Sequence, residues 1–148
     1  MGYDEDFAEW AHNQAALLRA GQLSELDIEN VAEELETLAR GEVRTLRSAV
    51  CGLLEHLVML ECSTASDRRP TWRMFVVRQR AAIADVLEDS PSLRSKLPEL
   101  MASSWGHARR LAMLGMGRCG GAPDAPTSNP FTLEQMLDDA FFPGEEPR

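Results

Sequence analysis

An all-α fold, most simply an up-and-down helical bundle with one long second helix and a short C-terminal helix docked on it, follows from three features of the sequence. Apolar residues recur near the helical period from the first turns onward. The first proline is Pro70, so nothing breaks a helix in the opening stretch. No segment sustains the apolar–polar alternation of a strand.

The elements follow in order. Phe7, Trp10, Ala11, Leu17 and Leu18 share a face with Gln14 as its one polar member, which predicts a first amphipathic helix over roughly residues 4 to 19, ended by Gly21. Ser24 and Asp27 each offer a capping oxygen, and a second helix is expected from about 25 to about 62. On a helical wheel Ile28, Val31, Leu35 and Leu38 continue into Val43, Leu46, Val50, Leu53, Leu57 and Leu60 as one stripe. At about 1.5 Å per residue such a helix is on the order of 55 Å long, more than a compact domain of this size needs. Either a kink near Gly41 or an end that pairs with a second copy is therefore expected.

Residues 62 to 70 read as a loop, and Thr71 as the cap of a third helix that buries Trp72, Val76, Gln79, Ile83, Val86 and Leu87. Ser90-Pro91-Ser92-Leu93 reads as a cap followed by proline in a first turn, and Pro98 divides that turn from a fourth helix burying Leu97, Leu100, Met101, Trp105, Ala108, Leu111 and Ala112. Residues 114–130, with Gly115, Gly117, Gly120, Gly121 and three prolines, read as a flexible connector. Thr132 and Gln135 then form a capping box for a last helix over 132–140. Phe131, Leu133, Met136, Leu137, Phe141 and Phe142 are too apolar for a free tail and are expected to dock on the bundle. Met59, Met113 and Met116 fall off the stripes and read as adaptable surface contacts.

Composition narrows the classes. A chain of 148 residues with 44% hydrophobic residues supports one core, so residues 1–148 are expected to form a single domain. The acidic start, with Asp4, Glu5, Asp6 and Glu9, is unlike a signal peptide, and no apolar run is long enough to span a membrane, which predicts a cytoplasmic protein. Cys51, Cys62 and Cys119 read as reduced thiols. Residues 1 to 36 hold ten of the 24 acidic side chains and, in Arg19, one of the 15 basic ones. That imbalance argues against duplex DNA as a partner and for a basic partner or a basic patch within the same fold, and with the long second helix it makes a protein partner or a second copy the expectation.

The polar residues on or beside the apolar stripes define a candidate interhelical site: Glu34, Glu42, His56, Arg69, Trp72, Arg73 and Arg80. Glu42 lies inside the stripe of the second helix, where a carboxylate needs a partner, and Arg69, Arg73 and Arg80 are the candidates for an ion pair. The basic run from Arg68 to Arg80 either holds a phosphate or pairs with the glutamates around Glu33, Glu34 and Glu36. Glu34, Glu42 and His56 stand 8 and 14 residues apart, roughly 12 and 21 Å along a helix, too far to share one ion. His12, Glu34, His56 and His107 are the remaining ligand types, without a metal-binding spacing, so no metal and no cofactor are expected. No nucleophile context or phosphate loop is present, which favours a non-enzymatic interaction or regulatory module. The alternative is a metal-dependent or phosphate-handling enzyme with an interhelical site near His56, Glu34 and Arg69 to Arg80.

Several motifs in fixed order resemble a known family. They are Tyr3-x-x-Asp6-Phe7-x-x-Trp10, then Leu26-Asp27-x-Glu29-Asn30-x-x-Glu33-Glu34-Leu35-Glu36, then Leu53-Leu54-x-His56-Leu57. Trp72, Arg80, the Ser90 to Leu93 tetrad and Phe131-Thr132-Leu133-Glu134-Gln135-Met136-Leu137 follow. The chain is similar along nearly its whole length to bacterial domain-of-unknown-function family number twenty-nine. That resemblance implies an all-helical fold and no established activity. Phe131 stands where the family commonly has tryptophan.

Overall fold

The computed structural model describes residues 2–118 and 124–144, and every regular element among them is helical. Five α-helices follow in order: α1 Phe7–Ala20, α2 Ile28–Cys62, α3 Arg69–Asp89, α4 Leu97–Arg118 and α5 Leu133–Leu137. Short 3-10 turns occupy Leu23–Glu25, Ser66–Arg68 and Pro91–Lys96. Among the described residues, no helix is long and apolar enough to cross a membrane.

Each boundary has a local cause. Asp6 caps α1 by accepting the Glu9 N–H at 3.0 Å. Gly21, in the left-handed region at φ 70°, closes that helix on the carbonyls of Leu17 and Leu18. Asp27 stands just before α2, and its Oδ1 accepts the Asn30 N–H at 3.3 Å. The third helix starts two residues before Thr71, because Pro70 fits the first turn with its ring-locked φ and missing donor. The fourth runs on to Arg118, so Gly115 and Gly117, expected in the connector, are helical. The single Cβ-free contact that matters there is Gly115, where an added Cβ would stand 2.8 Å from the Met59 methyl. Cys119, Gly120 and Gly121 of the expected connector lie outside the described residues. Thr132 and Gln135 form the full reciprocal capping box, and α5 closes after five residues rather than reaching 140.

Contacts divide the chain into two compact units, Met1–Gly41 and Glu42–Arg148, with the division inside α2. In the second unit the later part of α2 carries Leu46, Val50, Leu53, Leu57 and Leu60, all fully buried. They pack with Trp72, Val76 and Ile83 of α3 and with Leu97, Leu100, Ala108 and Ala112 of α4. Met59 and Met116 belong to this core as well, and Met113 packs against it, so these methionines are not surface contacts. The core wraps further round α2 and α4 than a single stripe, and unbranched Met fills the irregular margin.

The C-terminal segment docks on the same unit. Phe131 and Met136 are buried in its core, and Leu133, Leu137, Phe141 and Phe142 pack against it. The Trp105 indole N–H reaches the Thr127 carbonyl at 3.0 Å. At the far end Gly144 sits at φ 73°, where an added Cβ would stand 2.5 Å from the Leu60 carbonyl oxygen, so only glycine fits.

The first unit is a helical hairpin of α1 against the start of α2, built on Trp10 and Gln14 as its buried side chains. The Trp10 ring meets Tyr3 edge-on at 4.8 Å, and its indole N–H points to Asp27 Oδ2 at 3.3 Å. Gln14 Oε1 accepts the Asp27 backbone N–H at 2.8 Å. The wider apolar face expected for α1 is not buried: Phe7 and Leu18 are about half exposed.

Candidate functional site

The residues singled out from the sequence separate into four structural settings. Glu34 belongs to the first unit, where it accepts a hydrogen bond from the Tyr3 hydroxyl. That bond, with the negative charge beside it, pushes the Tyr3 phenol up to about 12. His12 is exposed and its Nδ1 is tied to the Ala8 carbonyl of its own helix at 2.7 Å. Neither residue meets a second ligand type, and among the described residues no three His, Cys, Asp or Glu side chains converge as a metal site would need.

Glu42 corrects the expectation of a buried ion pair. It is exposed to solvent and forms no ion pair among the described residues, because α2 changes surroundings near that point and the stripe there is not a core face.

The arginines of α3 serve the tail. Arg69 donates one guanidinium nitrogen to Leu60 O at 2.7 Å, the end of α2, and another to Pro143 O at 2.8 Å. Arg80, 5% exposed, donates Nε to Met136 O at 2.9 Å and Nη2 to Gln135 O at 3.2 Å and Phe141 O at 2.8 Å. Arg73 lies over the Phe142 ring at 4.2 Å. Trp72 is a core residue. The hydrogen-bond partners of Arg69 and Arg80 are thus backbone carbonyls, at the ends of α2 and α5 and in the segment after α5, rather than the glutamates of α2. Arg109, which the sequence reading passed over, does the same for Ala125 O and Pro126 O at 2.8 Å each.

His56 lies elsewhere, in a groove of about 590 Å³ walled by α2, α3 and α4 of the second unit. Its Nδ1 bonds to the Gly52 carbonyl at 2.7 Å, which places the proton on Nδ1 and leaves Nε2 open. Its ring stacks on Phe75 at 4.6 Å. Arg44, Arg47, Cys51, Ser104 and His107 line the same groove. Burial, reinforced by Glu55, raises the Cys51 thiol above its ordinary value, so it stays protonated and is a poor nucleophile. Cys51 and Cys62 are both free thiols.

A further surface was legible only as a pattern. The early part of α2 exposes Ile28, Leu35 and Leu38 by 64%, 62% and 68%, the same stripe that is buried from Leu46 onward. Ala32 and Ala39 flank it. Asp27, beneath this stripe, has its carboxyl held below the usual 3.8, first by the Asn30 side-chain amide and further by the Asn30 backbone and Trp10 donors. A depressed carboxyl contributes stability above its unfolded value and loses it as pH falls through the folded value. Amides of α1 are therefore expected to lose hydrogen-exchange protection below about pH 3.8 in the parent, and Asp27→Asn to flatten that acid dependence while lowering protection at neutral pH.

Comparisons with curated proteins and with solved structures find no match. The family model described as "Domain of unknown function DUF29" matches residues 2–142. That match spans the hairpin, the three-helix core and the clasped tail alike, and the chain belongs to the DUF29 family, for which no activity is established.

Proposed function

We propose that this chain is a non-enzymatic helical interaction module that pairs with a second copy of itself along the early part of α2. The observation that carries the reading is the exposed stripe of Ile28, Leu35 and Leu38, completed by the half-buried Val31. The spacing 28, 31, 35, 38 alternates three and four, as in a helix–helix seam. Large apolar side chains in contiguous rows mark interaction surfaces rather than ordinary scatter.

An antiparallel partner helix satisfies the stripe fully. The register that sets Ile28 against Leu38 also sets Val31 against Leu35, so every apolar member finds another. It also places Arg40 within a turn of Glu29 of the second copy, and the small Ala32 and Ala39 allow close approach. Duplex DNA fits this acidic hairpin poorly. Free thiols at Cys51 and Cys62 fit a reducing, cytoplasmic setting.

Sedimentation equilibrium tests the reading. The full chain is expected to dimerise, and Leu35→Glu to weaken the dimer at least tenfold, since about 1.5–3 kcal/mol of apolar burial is lost per side chain and a charge is placed in the seam. Leu35 is exposed, so the variant keeps its fold. A parent that stays monomeric at about 0.5 mM, or a Leu35→Glu dimer of parental strength, would falsify the proposal.

A further inference from the structure

The exposed stripe on early α2 has an apolar neighbour in α1. The half-buried Asn30, Val31 and Glu34 mark the side of α2 turned to α1, and the exposed Ile28, Leu35 and Leu38 lie about 80° further round the helix. On α1 the buried Trp10 and Gln14 mark the side turned to α2, and Phe7 and Ala11 lie about 60° further round in the same rotational sense. Tyr3 reaches Glu34 and Trp10 reaches Asp27, so the two helices run antiparallel. Antiparallel helices turn in opposite senses when viewed from one end, and offsets of the same sign therefore bring both rows to the same side of the hairpin. That side of the first unit carries a groove, with Phe7, 51% exposed, on one wall and Ile28 and Leu35 on the other.

The α2 stripe alone is too small for a stable pair. A fully buried Leu or Ile side chain removes about 60–120 Å² from water. Ile28, Leu35 and Leu38 thus supply less than half of the roughly 800 Å² per partner that a standard interface buries. The missing area lies on α1, where Phe7 is followed along the same face by Ala11 and Ala15. The Phe7 ring is already held at its inner edge by Tyr3 at 5.8 Å and Trp10 at 5.7 Å, so it meets a partner with little further loss of freedom.

We infer that α2 of the second copy lies in this groove, and that Phe7 of each copy inserts between Ala32, Leu35, Glu36 and Ala39 of the other. The inference rests on the antiparallel α2 pairing proposed above and adds α1 to it. The contacts of Tyr3 with Glu34 and of Trp10 with Asp27 set Phe7 level with Asn30 of its own chain. The register that pairs Ile28 with Leu38 sets Glu36 of the other copy opposite Asn30, and so at the level of Phe7. Positions 32, 35, 36 and 39 form one four-residue hole at that level, spaced as a knob from a facing helix requires. Two alanines make the hole deep and Leu35 makes one wall apolar. The aliphatic stem of Glu36, whose carboxylate pairs with Arg40 at 3.6 Å, makes the other wall. A hollow lined by Ile28, Ala32 and Glu36 is already present on this side of α2.

Isotope-filtered NOE spectra of a mixed sample, one copy labelled and the other not, test the contact directly. Transfer from the Phe7 ring of the unlabelled copy to the Ala32 and Ala39 methyl groups of the labelled copy is expected. Sedimentation equilibrium should show Phe7→Ala weakening the dimer at least tenfold, whereas a seam made by α2 alone would be indifferent to that change. The NOE is read on the parent chain, so it holds whatever Phe7→Ala does to the packing of its own hairpin. In a parent that dimerises through Leu35, either the absence of that transfer or a Phe7→Ala dimer of parental strength would overturn this inference and leave the α2 pairing in place. A monomeric parent overturns both.

Discussion

Replacing Arg80 by methionine is expected to lower the unfolding free energy by about 2–4 kcal/mol. Two effects oppose each other. Removing a buried guanidinium relieves its desolvation, which alone would make an apolar substitute neutral or stabilising. Burial indeed pulls the Arg80 pKa down, while Asp139 and Asp138 push it back, and an arginine remains charged in either case. The loss wins because only one side of each interaction is replaced. The carbonyls of Met136, Gln135 and Phe141 stay where they are, and methionine gives them no donor. Phe142 also loses the guanidinium 5.3 Å from its ring. Urea unfolding gives the magnitude, and hydrogen exchange at Met136 and Asp138 shows whether the tail detaches first. Arg80→Lys is expected to recover only a fraction, since a single ammonium cannot fork to three divergent carbonyls. A methionine variant within about 0.5 kcal/mol of the parent would mean that the clasp adds nothing beyond the apolar docking of Phe131 and Met136.

The arginine clasp also shows where sequence reasoning reached its limit. The helices, the capping box at Thr132 and the docking of the C-terminal phenylalanines were legible because they depend on local chemistry and on periodicity. The basic run on α3 was legible as charge, but its partners are carbonyls, one 9 residues away at Leu60 and the others 55 to 74 residues away in the tail, and every residue type carries a carbonyl. No side-chain pattern can announce such an acceptor. Glu42 failed for a related reason. Periodicity places a residue on a stripe but does not say which portion of a 35-residue helix has a neighbour on that stripe. The same limit hid the groove: His56 was noticed, whereas Arg44, Arg47 and Ser104 are ordinary surface residue types until three helices bring them together.

Trp10→Ala is expected to cost the first unit about 3–5 kcal/mol, the usual range for emptying a buried aromatic site. Context pushes the value toward the upper end. In α1 only Trp10 and Gln14 are buried, so no neighbouring core side chains stand ready to close the cavity. Tyr3 and Phe7 lose ring contacts of 4.8 and 5.7 Å, and Asp27 loses the indole donor that helps hold its carboxyl ionised ahead of α2. Two partly exposed rings cannot refill a space of indole size without abandoning Glu34, to which Tyr3 is hydrogen-bonded. The readout is amide exchange along Trp10 to Ala20, which should approach the unprotected rate, while amides around Leu53 and Leu57 keep their protection because their core cluster contains no hairpin residue. Trp10→Phe separates the two contributions. It fills most of the volume but has no N–H, so it should cost about 1 kcal/mol plus the unfilled remainder of the indole. Equal effects of the two substitutions would assign the hairpin's stability to the Asp27 hydrogen bond instead of to ring packing. An α1 that stays protected in Trp10→Ala would mean that the hairpin is held by a surface other than its own buried pair.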